Sequence, residues 1–73
     1  MVFAIIRTIA ELSNTGTNVK RLAIVSWNGA PGKLDLRNWR IVDGEEVPGR
    51  GCTLTYKEAH ALAEALTVYL EDA

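Results

Sequence analysis

Hydrophobic and polar positions alternate most clearly between residues 19 and 42. Side chains two apart on a strand share a face. Residues 19–28 therefore read as a strand with Leu22, Ile24 and Ser26 on one face and Arg21, Ala23, Val25 and Trp27 on the other. After the turn composition Gly29-Ala30-Pro31-Gly32, a second strand over Lys33–Val42 sets Leu34 and Leu36 against Lys33, Asp35, Arg37 and Trp39. Matching the two leucine-rich faces as core predicts that Arg21, Trp27, Lys33, Arg37 and Trp39 stand together on an outer face. A slip of one residue in register would exchange the faces.

The flanking segments complete the pattern. Residues 3–12 predict an earlier strand, rich in β-branched Ile5, Ile6 and Ile9 and uninterrupted by Gly or Pro. Its alternation is imperfect and leaves its buried face open, and Ala, Glu and Leu also permit a helix. Residues 13–18 form a turn by composition. Asp43-Gly44 is a two-residue hairpin signal. A fourth strand starts at Glu45, is interrupted by Pro48-Gly49-Arg50-Gly51, and resumes in Cys52-Thr53-Leu54. The glycines flanking Arg50 leave backbone N–H groups open to a small anion. Thr55 and Glu58 have capping-box spacing. Beyond them Ala59, Leu62, Ala63, Leu66, Tyr69 and Leu70 repeat at helical spacing to about residue 70, with Ala61, Ala65 and Val68 as a second apolar strip. A helix on one sheet needs only one stripe, so the wider coverage predicts a second surface, most simply the same helix of another subunit, with Leu62, Leu66, Tyr69 and Leu70 at the interface. The predicted order is β-β-β-β-α in a single domain, residues 1–73.

Charge changes the picture more than composition does. The net charge is −1, which by itself argues against a polyanionic partner. Residues 1–42, however, carry six cations against two carboxylates, and residues 43–73 carry two against seven. A polar field of this kind steers an anion to one side. Cations interleaved with tryptophans on a sheet can hold phosphates and stack bases. An average Trp belongs to a core, and single surface cations commonly do no more than keep a sheet soluble. The shared parity of Trp27 and Trp39 with the cations favours the functional reading. Asp35, between Lys33 and Arg37, has simple ion pairing as its alternative.

Other chemistry is poorly supported. One cysteine excludes an intrachain disulfide, and one Cys with one His argues against a zinc site within the chain. Cys52 is expected to be a small buried residue and His60 to face solvent. No paired carboxylates, Ser/His/Asp set or phosphate-loop glycines point to catalysis, so no enzyme, cofactor or metal is expected. The apolar opening is interrupted at Arg7, too short for a membrane span and without the basic start of a signal peptide. A soluble, cytoplasmic protein is the expectation.

The ordered series Lys33-Leu34-Asp35-Leu36-Arg37, Trp39, Asp43-Gly44-Glu45, Pro48-Gly49-Arg50-Gly51 and Thr53-Leu54 before a capped helix resembles the C-terminal domain of the transcriptional coactivator positive cofactor four. It is most similar to small stand-alone bacterial members, which share the Val-Ser-Trp-Asn of residues 25–28, and the likeness covers about residues 20 to 66. The resemblance implies an α+β fold, a curved four-stranded antiparallel sheet followed by one C-terminal helix, assembled as a homodimer. It implies nucleoid-associated binding of single-stranded DNA with little sequence preference; stacking and phosphate contacts would serve RNA as well. By position, Trp27 matches the stacking aromatic, Lys33 the cation after the loop, Arg37 the strand-three arginine, Trp39 the aromatic pair and Arg50 the Pro-Gly-Arg motif. The family's arginine two residues before the strand-two aromatic is Val25 here, and its tandem aromatics are Trp39-Arg40. The expected nucleic-acid-binding set is Arg21, Trp27, Lys33, Arg37, Trp39 and Arg50. The rival is a protein-interaction module that uses the helix and a sheet edge, with the tryptophans as anchors.

Overall fold

The computed structural model describes residues 2–73. Four strands, β1 (Phe3–Asn14), β2 (Asn18–Trp27), β3 (Lys33–Val42) and β4 (Glu45–Leu54), precede one helix, α1 (Tyr56–Glu71). The strands form an antiparallel sheet in the order β1-β2-β3-β4. The fold is α+β, with β4 running through residues 48–51 as one bulged strand rather than as two pieces.

Two turns follow directly from sequence. Asn28 and Gly29 have φ of 53° and 77°, and Asp43 and Gly44 have 52° and 78°. Consecutive positive φ values are the signature of type I′ turns, which Asn-Gly and Asp-Gly adopt at little steric cost. Ala30 N–H donates to Trp27 C=O at 3.0 Å and closes the first turn. The loop then passes Gly32, where an added Cβ would lie 2.6 Å from Ile6 Cδ1 and 2.8 Å from Ile24 Cγ2.

The imperfect alternation of β1 has a cause. The β1–β2 register shifts three times, between Ile5 and Arg7, Thr8 and Ala10, and Glu11 and Ser13. Each shift leaves one extra residue on β1, and these are Ile6, Ile9 and Leu12, all exposed. Their spacing of three breaks the strand's two-residue period and is what makes the segment also resemble a helix. Bulges bend the strand and increase its twist.

This curling inverts the expected faces. The face of Arg21, Ala23, Val25, Asp35 and Trp39 lies on the inside of the curve and is buried, and Leu22, Ile24, Leu34 and Leu36 are only half-buried. Ala23, Val25 and Trp39 form the core, packed by Phe3, Ile5 and Trp27. Curvature is measurable across one strand. Trp39 pairs in register with Val19 and Phe3 pairs with Trp27, at the opposite ends of β2. Yet the two indoles lie 6.2 Å apart.

The α1 capping box is complete: Glu58 N–H donates to Thr55 Oγ1 at 3.1 Å and Thr55 N–H donates to Glu58 Oε1 at 2.8 Å. No residue of α1 is buried, and its sheet contacts fall chiefly on β4. Leu66, Val68, Tyr69 and Leu70 are exposed. Among the described residues, no helix is long and apolar enough to cross a membrane.

Candidate nucleic-acid interface

Phe3, Trp27 and Trp39 form one aromatic cluster. Trp27 and Trp39 stack with 4° between their planes, and Phe3 is tilted against both, at 6.0 and 5.2 Å between centroids. Arg37 lies over Trp27, its guanidinium carbon 4.8 Å from the ring centroid, and Arg21 lies 5.8 Å from that of Trp39. These are cation–π distances. Sequence parity correctly joins Trp27, Trp39, Arg21 and Arg37 on one face. That face is enclosed instead of outward: Trp39 is 0% and Arg21 7% exposed, whereas Trp27 and Arg37 are half-buried. Trp39 thus supports Trp27 from within and presents no open ring.

Both enclosed guanidiniums have carboxylate partners. Arg21 donates Nη1–H and Nη2–H to the two carboxylate oxygens of Glu46, at 2.9 and 2.8 Å. That bidentate hydrogen bond raises the pKa of Arg21 and lowers that of Glu46, against the opposing effect of burial. Arg37 donates Nε–H and Nη2–H to Asp35, both at 3.0 Å, and Nη1–H to the Gly49 carbonyl at 2.9 Å. Asp35 is 0% exposed, so it is no surface partner. Its two charge-assisted hydrogen bonds offset the cost of burying the carboxylate. The third bond ties Arg37 to the β4 bulge, where the register slips between Arg37 and Trp39. An added Cβ at Gly49 would lie 2.8 Å from Asn38 C=O, and one at Gly51 would press on Leu36 C=O and Arg37.

Trp27, Asn28, Arg37, Pro48, Gly49 and Thr53 line an open cavity of about 330 Å³. Asn28 is held at its mouth: its N–H donates to Val2 C=O at 2.7 Å, and its Oδ1 accepts from Val2 N–H at 3.1 Å. The indole N–H groups of Trp27 and Trp39 are buried without hydrogen-bond partners. Lys33 and Arg50 are exposed. Of the expected set, the structure brings Trp27, Arg37, Trp39 and Arg21 together, and Lys33 and Arg50 lie outside the cavity lining.

Three participants escaped sequence reasoning. Phe3 lies in the segment whose bulges obscure its faces. Asp35 was visible as a neighbour of Arg37, but its burial was not. Glu46 carries no local signal, because it meets Arg21 across 25 residues through the curl of the sheet. Cys52, expected to be buried, is exposed, and His60 is exposed, its ring edge-on to Tyr56 at 4.5 Å. Among the described residues, no three His, Cys, Asp or Glu side chains form a metal-binding group. No protein-family model matches this chain, and no curated protein sequence matches it.

Proposed function

We propose that the protein binds single-stranded nucleic acid, DNA foremost, with little sequence preference, and that it does so as a homodimer. The observation that carries this reading is Trp27, half-buried at an open cavity with Arg37 fixed over its ring. Bases stack on guanidinium planes as well as on aromatic rings, so an indole capped by Arg37 is a planar platform for any base, because every base has a π face. Arg21 and Arg37 are engaged by Glu46 and Asp35, so their part is to shape the site. Lys33 and Arg50, exposed, are left to meet phosphates. The resemblance of residues 20–66 to the positive cofactor four family supports the same reading.

The dimer rests on two incompletely covered surfaces in one chain: a helix with no buried residue, and the half-buried Ile24 and Leu34 beside its first turn, away from Leu36. The same helix favours a second reading, a protein-interaction module in which exposed Leu66, Tyr69 and Leu70 anchor a different partner.

Intrinsic tryptophan fluorescence, titrated with a mixed-sequence single strand and with its duplex at two salt concentrations, tests the proposal. Quenching by the single strand, weaker with duplex and reduced by salt, is the expected result. Trp27→Ala should weaken binding to every sequence alike by about 1–3 kcal/mol, and Trp27→Phe, which keeps a ring, should retain most of it. No quenching and no retained DNA at low salt would favour the protein-partner reading.

A further inference from the structure

Cations without carboxylate partners gather on the other face of the sheet. Leu36, Asn38 and Arg40 alternate away from Arg37 and Trp39 along β3, and Lys20 alternates away from Arg21 along β2. On β4 the bulge separates Pro48, opposite Trp39, from Gly51, opposite Arg37. Lys20, Arg40 and Arg50 line one cavity of about 880 Å³, whose floor includes Leu36 and Cys52. No carboxylate lines it, and the ion pairs among the described residues, Arg21–Glu46 and Arg37–Asp35, leave these three cations out. Its lining shares Arg37, Pro48 and Gly49 with the Trp27 cavity, so the two spaces meet across the bulge.

We infer that this groove is a phosphate track for the single strand whose base stacks at Trp27, an inference that rests on the reading above. Lys20, Arg40 and Arg50 neutralise phosphates on the leucine face. The strand crosses the sheet edge at Pro48 and Gly49, which line both spaces, and delivers a base to the Trp27 cavity. The groove contains no aromatic ring, so it contributes charge and not stacking. Of the cations it uses, only Arg50 belongs to the set expected from sequence. The acidic helix of a second copy is the competing occupant. Continuity with the Trp27 cavity favours the nucleic-acid strand.

The test is a salt series of fluorescence anisotropy with a labelled thymidine 20-mer. It compares the wild type, the triple variant Lys20→Ser/Arg40→Ser/Arg50→Ser, Trp27→Ala, and the helix control Lys57→Ser. Three lost phosphate contacts should lower the slope of log affinity against log salt by about 2, at about 0.7 each, and weaken binding at low salt by at least about tenfold. Trp27→Ala should weaken binding with its slope kept, and Lys57→Ser should change neither. An unchanged slope in the triple variant, with Trp27→Ala still weakened, would overturn the groove and leave the proposed function standing. Wild-type protein that binds no DNA would overturn both. Loss of self-association in the triple variant, read by sedimentation, would assign the groove to the helix of a second copy and overturn the track.

Discussion

Asp35 illustrates how one buried carboxylate organises its surroundings. It fixes Arg37 by two hydrogen bonds, and Arg37 in turn holds the Gly49 carbonyl and covers Trp27. Removing one partner of a buried pair leaves the other charge uncompensated. Asp35→Ala should therefore destabilise the fold by about 3–5 kcal/mol, measured by urea unfolding at fixed protein concentration. The Arg21–Glu46 pair makes a different demand on pH. Glu46 has its pKa lowered by Arg21, so its contribution is present above the ordinary glutamate range and is lost as pH falls through the lowered value. Stability should hold from neutral pH to about 5 and decline below, and Glu46→Gln should flatten that decline in thermal melts taken across pH. Arg21 titrates far above this window and does not alter the sign. The residue types of the site were legible through parity alone. The partners that restrain them were not, because Glu46 reaches Arg21 only once three strands have curled.

At the scale of elements, β4 carries the tightest constraint. Its bulge brings Gly51 against Leu36 C=O and Arg37 so closely that no Cβ fits without movement of backbone. Gly51→Ala should cost about 1–3 kcal/mol in chemical unfolding, as overpacking commonly does. A smaller loss would mean that the strand relaxes outward as an edge. Strands β2 and β3 and helix α1 were readable because a single period governs each of them. Strand β1 was less so, since Ile6, Ile9 and Leu12 interpose an extra residue every three and replace alternation with a false helical spacing. The inside of the sheet was misassigned for a related reason. Counting leucines locates the more apolar face of a flat sheet, but curvature encloses whichever face lies inside, and here large aromatics and their paired arginines occupy it.

At the scale of the molecule, the uncovered surfaces are what the proposed dimer rests on. A chain of 8.0 kDa whose helix buries nothing has little core of its own. Sedimentation equilibrium should give about twice that mass in the micromolar range, from the cost of leaving such surfaces wet. Leu66 lies on the apolar stripe at 48% exposure. Leu66→Glu should shift the protein to monomer and lower its melting temperature. A mutant that stays dimeric would move the interface off that stripe.

The strand order β1-β2-β3-β4 has a kinetic consequence. Every strand pairs with its neighbour in sequence, and the joining segments are short: residues 15–17, 28–32 and 43–44. Loop closure costs little entropy at such lengths, and low contact order favours rapid folding. Each hairpin can zip from its own turn on a timescale of roughly microseconds. The contacts between strands that curl together, Arg21 with Glu46 and Trp39 with Trp27, require that curl and are expected to form after the ladders. The expected order is a local nucleus with the aromatic site assembling last, so in stopped-flow refolding the change in indole emission should lag the gain of far-UV circular dichroism.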